Sequence, residues 1–372
     1  MRSRAAVLLE SPGRYEVVDV EVDEPRDNEV LVRYVASGLC HSDVHFLTGD
    51  HHSPLPVCAG HEGAGVVEAV GRGVTSLRPG DHVVASFIPS CGRCRYCASG
   101  RMNLCQLGAH LQVGPMPDGT YRMHLDGRDL HQFLLISTFS QFAVVAENSL
   151  VKVADDLPLE TLCLLGCGVG TGLGSSTNAA GVRPGDHVLV VGVGGVGTSA
   201  VQGAALAGAA VVIAVDPVPF KREMAQKLGA THAFASMAEA TEFVRSVTDG
   251  QGADAAVLAM GSPTNTDVAE AFAAVGKGGT VVVTGMAAAT EPMGIPVHLL
   301  ELGGMQKTIR GALFGMCNPP ADILRQIDLY RAGKLKLDEM ITRRYRLDDI
   351  NVAVDDLLEG RNIRGVVVHD TV

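Results

Sequence analysis

The 372-residue chain has no tryptophan, and aromatic residues make up only 4% of it. In the near ultraviolet it offers little beyond a weak tyrosine band, so a bound chromophore would stand clear. Positive charge is also scarce: 30 Lys and Arg face 41 Asp and Glu, for a net charge of −11, and no basic block exceeds a few residues. This argues against a nucleic-acid partner and against an anionic membrane surface. The N-terminal stretch carries Arg2 and Arg4, but its apolar run is short and stops at Glu10 and Pro12. Without a signal-peptide core or a cleavage-like site, the expected location is the cytoplasm. No internal repeat, low-complexity tract or flexible linker interrupts the chain. Its length suggests about two domains.

Charge is missing altogether from one long stretch, 188–215, between His187 and Asp216. By length alone this could cross a membrane, but its internal pattern excludes that. Val188–Val191 is a β-branched run of strand length. The turn Gly192-Val193-Gly194-Gly195-Val196-Gly197 follows at once, then a small-residue helix over Thr198–Ala207, a stop at Gly208, and a second buried strand over Val211–Val215. Strand, glycine turn, helix and strand, with an acid about 20 residues on, form the unit that binds dinucleotides. Gly192 permits the tight turn, Gly194 lets the backbone approach a pyrophosphate, and Gly197 lets helix and strand pack closely. The helix N-terminus offers free N–H groups and partial positive charge to the phosphate. A carboxylate at Asp216 accepts hydrogen bonds from a ribose 2′-OH and repels a 2′-phosphate, which favours NAD over NADP.

Nine cysteines in a cytosolic chain call for something other than disulfides. Four are clustered as Cys91-x2-Cys94-x2-Cys97-x7-Cys105. Four thiolates on one loop at such spacings make a closed tetrahedral site, which reads as structural zinc. An iron–sulfur cluster is the competing reading, weakened by the spacing and by the lack of a proline after the last cysteine. Cys40, Cys58, Cys163, Cys167 and Cys317 are scattered, and spacing alone joins none of them to His61. His61-Glu62 does not open a zinc-protease helix either, because Gly65 stands where the second His of that motif belongs.

Along the chain, Ala5–Leu9, Tyr15–Val20, Glu29–Val35, Gly65–Val70, Val83–Phe87, Phe133–Val145 and Leu150–Val153 read as strands of a β-rich domain. After Asp216 the pattern alternates. Helix Phe220–Leu228 leads to strand His232–Phe234, helix Met237–Thr248 to strand Ala253–Leu258, and helix Asp267–Val275 to strand Gly279–Thr284, with a last strand near Lys307–Gly311. Such alternation predicts a doubly wound parallel α/β sheet. Helices Ala321–Arg331 and Leu347–Leu358 and strand Gly365–His369 break the rhythm and return to the first domain. The expected division is 1–168 with 313–372, and 169–312.

Gly38-Leu39-Cys40-His41-Ser42-Asp43, Gly60-His61-Glu62-Gly63, the four-cysteine loop 91–105, Gly166-Cys167-Gly168 and the 192–197 turn occur in an order and spacing that resemble the zinc-containing medium-chain alcohol dehydrogenases. Residues 137–141 and 362–364 extend the likeness to essentially the whole chain. Residues 87–91, 117–119 and 313–319 resemble more narrowly the bacterial nitrosodimethylaniline-dependent (nicotinoprotein) branch. The resemblance implies a Rossmann domain beside a GroES-like catalytic domain and two zinc ions per chain. One would be structural, at Cys91, Cys94, Cys97 and Cys105; the other catalytic, at Cys40, His61 and Cys167. It further implies that Ser42 takes the alcohol proton and passes it through the cofactor ribose to His45, that Asp43 orients His61, and that Glu62 lies behind the metal. Thr171 would press the nicotinamide towards the substrate. Gly192, Gly194, Gly195, Val196, Gly197 and Asp216 would hold the cofactor, with Lys221 beside the ribose and His41 and Arg364 at the pyrophosphate. At position 41 many relatives carry Arg, and a histidine makes that contact pH-dependent. Phe87, Leu111, Phe133 and Leu134 would line an apolar pocket suited to benzylic or medium-chain alcohols.

The implied function is hydride transfer between a primary alcohol or aldehyde and NAD, which the narrower likeness would keep bound while a second substrate reoxidises it. A thiol-adduct formaldehyde dehydrogenase is the alternative enzyme, but its relatives use an acid near position 51 and an Arg near 109, where this chain has His51 and Ala109. A non-catalytic member of the fold is the alternative of another class, although such relatives usually lose the zinc ligands that survive here. The expected partners are a small-molecule alcohol or aldehyde and further copies of the chain, as a dimer or higher homo-oligomer.

Overall fold

In a computed structural model, which describes residues 1–287 and 294–370, the uncharged stretch 188–215 folds as strand His187–Val191, helix Gly195–Leu206 and strand Val211–Val215. The chain forms two units: Met1–Cys167 with Asn318–Ala332 and the chain from Leu337 onward, and Gly168–Cys317 with Gly333–Lys336. Among the described residues no helix is long and apolar enough to cross a membrane.

In the second unit six strands pair in parallel, in the spatial order His232–Phe234, Val211–Val215, His187–Val191, Ala253–Leu258, Val275–Val283, Thr308–Gly311. Counted along the chain this is 3-2-1-4-5-6, the order of a dinucleotide-binding sheet, whose ligand crevice lies at the carboxyl ends where the order reverses. The central strands His187–Val191, Val211–Val215 and Ala253–Leu258 are buried on both faces, so they read as nearly continuous Val, Ile, Leu and Ala runs without alternation. The small residues of helix Gly195–Leu206 have a packing role. At Gly172, in helix Gly168–Gly174, a Cβ would come within 2.0 Å of the Val196 carbonyl oxygen, so the two helices meet backbone to backbone.

The first unit is antiparallel for the most part. A closed barrel of five strands and a seven-stranded sheet share it, with Glu29–Gly38 pairing Glu62–Val70, Phe142–Ala146 and Arg364–Val368. Its core is built from Ala5, Val7, Val20, Leu31, Leu130 and Val144, the inward positions of alternating strands.

The α/β and β-rich reading of the sequence is borne out, with local differences; the barrel strands Met123–Leu125 and Arg128–Gln132, for instance, are not legible in it. Phe133–Val145 is not one strand: Phe133–Leu135 is a tight helical turn with Leu134 and Leu135 at φ 49° and 63°, and the strand is Phe142–Ala146. The apolar content that looked like strand is buried around the site described below. Residues 41–48 form a helix, His41–Thr48, where the sequence shows only candidate ligands. Ile341–Arg346 is a strand parallel to Arg364–Val368, although its three arginines hide the pattern. Residues 313–317 pack with the second unit, not the first. Gly315, at φ 58°, lies against the carbonyls of Gly170 and Thr171, and Cys317 Sγ lies 3.3 Å from Gly170 O.

Candidate metal centres and nucleotide site

In the first unit the scattered ligands converge. Cys40 is the N-cap of helix His41–Thr48, His61 precedes strand Glu62–Val70, and Cys167 ends the turn Cys163–Gly166. The ligand atoms of Cys40, His61, Glu62 and Cys167 all lie within 4.8 Å of one another, and all four residues are buried. Asp43 organises this group. One carboxylate oxygen accepts the Cys40 backbone N–H at 3.0 Å, and the other accepts His61 Nδ1–H at 2.8 Å. With Nδ1 committed to a carboxylate, the lone pair of His61 resides on Nε2. That atom is buried with no hydrogen-bond partner. A desolvated imidazole nitrogen without a partner, set between two thiols, is what a metal ligand looks like before its ion is added.

The electrostatics favour a Cys40 thiolate facing a charged His61 ring, a charge that a bound cation would replace. Cys167 first, and then the neighbouring His61 ring, hold the Cys40 thiol well below the ordinary thiol range, against the opposing effect of burial. Burial alone would lower His61, but Asp43 and Cys40 outweigh it and leave the ring well above its usual range. Glu62, fully buried, is pushed up by desolvation to about 7 even though Arg364 opposes the rise. Arg364 is itself buried, its guanidinium paired with Glu62 and its Nε without a partner. The structure therefore places Arg364 directly behind the metal ligands.

Ser42 Oγ lies 3.8 Å from Cys40 Sγ. His45, one helical turn further, is 1% exposed, and its Nδ1 meets Asp50 at 3.1 Å. His41, half-buried, approaches His45 edge-on with ring centroids 5.1 Å apart. Phe87 and Phe133 stand edge-on to His61 at 5.9 and 5.6 Å, and Leu134 is buried next to Phe133 in the chain. Leu111 is half-buried at the end of the turn Gln106–His110. Two residues of this neighbourhood escaped the sequence reading. Phe46 packs on Phe133 at 4.7 Å, and Asp50 sits just past the helix cap. The signal for Asp50 was Gly49, whose φ of 83° ends the helix and turns the chain back towards His45.

Cys91, Cys94, Cys97 and Cys105 form the second four-ligand group, with sulfurs within 4.8 Å of one another. Cys91 and Cys97 sulfurs are 3.9 Å apart, close to the roughly 3.8 Å edge that a tetrahedron with zinc–sulfur bonds of about 2.3 Å requires. All nine cysteines are free thiols, so no disulfide competes.

In the second unit Gly192 has φ +79°, which a side chain rarely adopts, and a Cβ at Gly197 would strike the Gly192 carbonyl at 1.8 Å. A Cβ at Gly194 would meet nothing within 4 Å, so the space over the start of helix Gly195–Leu206 is open. Gly195 and Val196 form its first turn. Asp216 is buried at the end of strand Val211–Val215, where its carboxylate accepts the N–H of Val193 at 3.0 Å and of Val218 at 2.9 Å. The acid and the glycine turn are thus one rigid piece. Lys221, half-buried, lies in the first turn of helix Pro219–Lys227, and Thr171 is buried in helix Gly168–Gly174.

A sheet of this order with an acid-locked glycine turn, together with a Cys-His-Cys cluster and a four-cysteine loop, defines a zinc-binding dehydrogenase. Family models agree: residues 26–155 match the alcohol dehydrogenase GroES-like domain and residues 195–330 the zinc-binding dehydrogenase domain. An NDMA-dependent alcohol dehydrogenase of Amycolatopsis methanolica is 52% identical over 99% of both chains. Two crystal structures superpose over the full length of both chains. One is an alcohol dehydrogenase zinc-binding domain protein of Burkholderia ambifaria (TM-score 0.92, 36% identity), the other the benzyl alcohol dehydrogenase of Acinetobacter calcoaceticus (TM-score 0.91, 33% identity). The chain belongs to the zinc-containing alcohol dehydrogenase family, and it is an enzyme that interconverts alcohols and aldehydes.

Proposed function

We propose that the protein oxidises a primary, benzylic or medium-chain alcohol with NAD as hydride acceptor, and that the NAD(H) stays bound between turnovers. The observation that carries the catalytic part is His61 Nε2, buried and unpartnered between Cys40 and Cys167. These three residues would hold the catalytic zinc, which when bound supplies a Lewis acid that favours the alkoxide over the alcohol. Asp43 holds the His61 ring, and Glu62 with Arg364 closes the back of the site. Ser42 would accept the alcohol proton, and His45, one helical turn further on, would pass it towards solvent. Phe87, Phe133 and Leu134 supply apolar walls, with Leu111 at the rim. The Gly192–Gly197 turn would receive the pyrophosphate, and the family resemblance assigns His41 and Arg364, the latter paired with Glu62, to the cofactor as well. Asp216 and Lys221 serve the ribose, and Thr171 the nicotinamide. The two units are accordingly a catalytic and a dinucleotide-binding domain. The thiol-adduct alternative still lacks its acid and arginine, at His51 and Ala109.

Likeness to the NDMA-dependent enzyme supports retention of the nucleotide. The protein purified without added cofactor and extensively desalted is expected to carry about one equivalent of nucleotide. Because the chain has no Trp, reduced nicotinamide should be visible directly in its absorbance. Alcohol should drive turnover with nitrosodimethylaniline and not with free NAD. An empty protein that turns over with free NAD would reject retention and leave an ordinary dissociable dehydrogenase.

Asp216→Gly should weaken NAD binding by about tenfold to a hundredfold, the worth of a hydrogen bond to a charged acceptor, and relax discrimination against NADP. Val193 and Val218 lose their acceptor in the same variant, so the melting temperature is followed alongside. A wild type that already prefers NADP would contradict the assignment.

The remaining parts of the reading concern place and assembly. The outer strand Thr308–Gly311 ends the parallel sheet, and Leu299 and Leu300 before it are 80% and 84% exposed. An open strand edge beside exposed leucines suits a second copy of the chain, giving a homodimer that could assemble further. The cytoplasm is the expected compartment.

A further inference from the structure

Among the described residues, the helix that supplies Cys40 also carries a carboxylate–imidazole pair that metal binding does not explain. His45 is 1% exposed, and its Nδ1 lies 3.1 Å from Oδ2 of Asp50, a residue at the edge of the site with 39% side-chain exposure. The same oxygen accepts the Thr48 hydroxyl at 2.7 Å. The His51 backbone N–H returns to the His45 carbonyl at 3.1 Å, which holds the turn after the helix against its last residues. One carboxylate oxygen is therefore held by both His45 and Thr48. Hydrogen bonds from Thr48 and from His45 hold Asp50 below the usual carboxylate range.

We propose that Asp50 is a positioning residue for proton exit: its carboxylate accepts the Nδ1–H of His45, fixing the ring tautomer so that Nε2 is the atom that receives the substrate proton. This rests on the reading of Ser42 and His45 as the proton path. Oxidation of one alcohol sends a hydride, with its two electrons, to the nicotinamide and releases one proton. On arrival at Nε2 the proton makes an imidazolium, whose charge faces the Asp50 carboxylate; the ring then gives that same Nε2 proton to water, keeps its Nδ1–H on Asp50 and returns to the starting tautomer. A neutral imidazole with the opposite tautomer would present an N–H to the incoming proton and block the step. Asp50 thus does for His45 what Asp43 does for His61, and one helix uses the same device twice for two ends of the site. The titratable groups packed against the His45 ring include Asp50, His41 at 5.1 Å and His51 at 5.0 Å between ring centroids. Asp50 is the acidic one of the three.

Asp50→Asn keeps an oxygen for Thr48 but removes the charge and the fixed acceptor. Single-turnover rates are measured against pH in both directions, as appearance and loss of reduced nicotinamide, for wild type, Asp50→Asn, His45→Gln and the double variant. Stabilising the imidazolium matters oppositely in the two directions, because oxidation needs the neutral ring and reduction needs the protonated one. Asp50→Asn should therefore move the pH limbs of both directions down by about one unit. At a pH above the shifted limb, aldehyde reduction should fall about tenfold while oxidation loses less. The shift should vanish in the His45→Gln background, with two zincs per chain and an unchanged melting temperature throughout. Profiles of Asp50→Asn that superimpose on wild type while His45→Gln alters them would overturn the proposal and leave the proton path standing. If His45→Gln itself moves nothing, the proton path fails and the proposal with it. Should Asp50→Asn lose zinc or melt early, nitrogen-15 spectra of the wild-type ring decide: a proton on Nδ1 of the neutral imidazole supports the proposal, and one on Nε2 refutes it.

Discussion

Cys40→Ala is expected to reduce bound zinc from two ions per chain to one and to lower alcohol turnover by at least about a thousandfold, while the protein stays folded. The magnitude follows from what the ion contributes. Stabilising a developing alkoxide is worth several kcal/mol, and each 1.36 kcal/mol is a factor of about ten in rate. The site has no spare ligand of equal quality, since Glu62 is paired with Arg364 and held by burial near neutrality, at about 7. Survival of the fold follows from how Cys40 sits. It is the backbone N–H of Cys40, not its thiol, that meets Asp43 at the start of the helix, and Asp43 keeps its bond to His61 without Cys40 Sγ. Alanine supplies the same N–H. Cys167→Ala should behave alike, because its sulfur joins the same cluster from the turn Cys163–Gly166. Metal analysis with steady-state rates checks both variants, and a Cys40→Ala protein with two zincs and near-normal turnover would remove Cys40 from the ligand set.

What could be read from the sequence depended on how local the cause was. The dinucleotide unit was legible because its determinants lie within one stretch: β-branched strands, glycines at fixed offsets and Asp216. Strands Val211–Val215, His232–Phe234 and Ala253–Leu258 have the bounds that the sequence predicts. The four-cysteine loop was legible for the same reason. Cys40, His61 and Cys167 were not, because the antiparallel pairing of Glu29–Gly38 with Glu62–Val70 and the turn after Leu162 bring them together over long separations. Only the family resemblance joined them. Ile341–Arg346 escaped because its exposed positions carry arginines that hide the apolar ones. Phe133–Leu135 was misread because apolar side chains in a left-handed turn look like a strand when only composition is visible. Asp50 was invisible for a subtler reason: nothing in Thr48-Gly49-Asp50 tells which histidine a turned chain will meet.

Cys94→Ala should do the reverse of Cys40→Ala, costing stability first and activity only through it. The loop 91–105 has almost no regular structure of its own beyond the single turns Cys97–Ser99 and Met102–Leu104. Its interior is the cysteines themselves, with Tyr96, Met102 and Leu107 packed around them. Without an ion that interior is poorly balanced. Backbone N–H groups of Cys97 and Gln106 draw the Cys94 thiol down to about 6, while burial and the neighbouring Cys94 sulfur push Cys97 up to about 12. Four thiolates would repel, and four thiols would leave those N–H groups facing weak acceptors; a divalent ion resolves both. In small domains that depend on it, such an ion contributes about 10–16 kcal/mol to folding. Here the loop is one excursion from a well-packed sheet, so the global cost is set lower, at about 2 kcal/mol or more, which for a unit of this size lowers the melting temperature by at least about 4–8 °C. The local effect is larger than the global one. Arg93, Arg95 and Arg101 are exposed on the loop, Arg95 and Arg101 lying over the Tyr96 ring at 4.9 and 5.4 Å. In the folded loop they should resist trypsin, and in Cys94→Ala they should become the first sites cut. Zinc content should fall to one ion per chain, the one at Cys40, His61 and Cys167. Turnover measured in the cold, before the loop opens further, should stay within a fewfold of wild type. A Cys94→Ala protein with both zincs, an unchanged melting temperature and a trypsin-resistant loop would mean that the four cysteines do not act as one site.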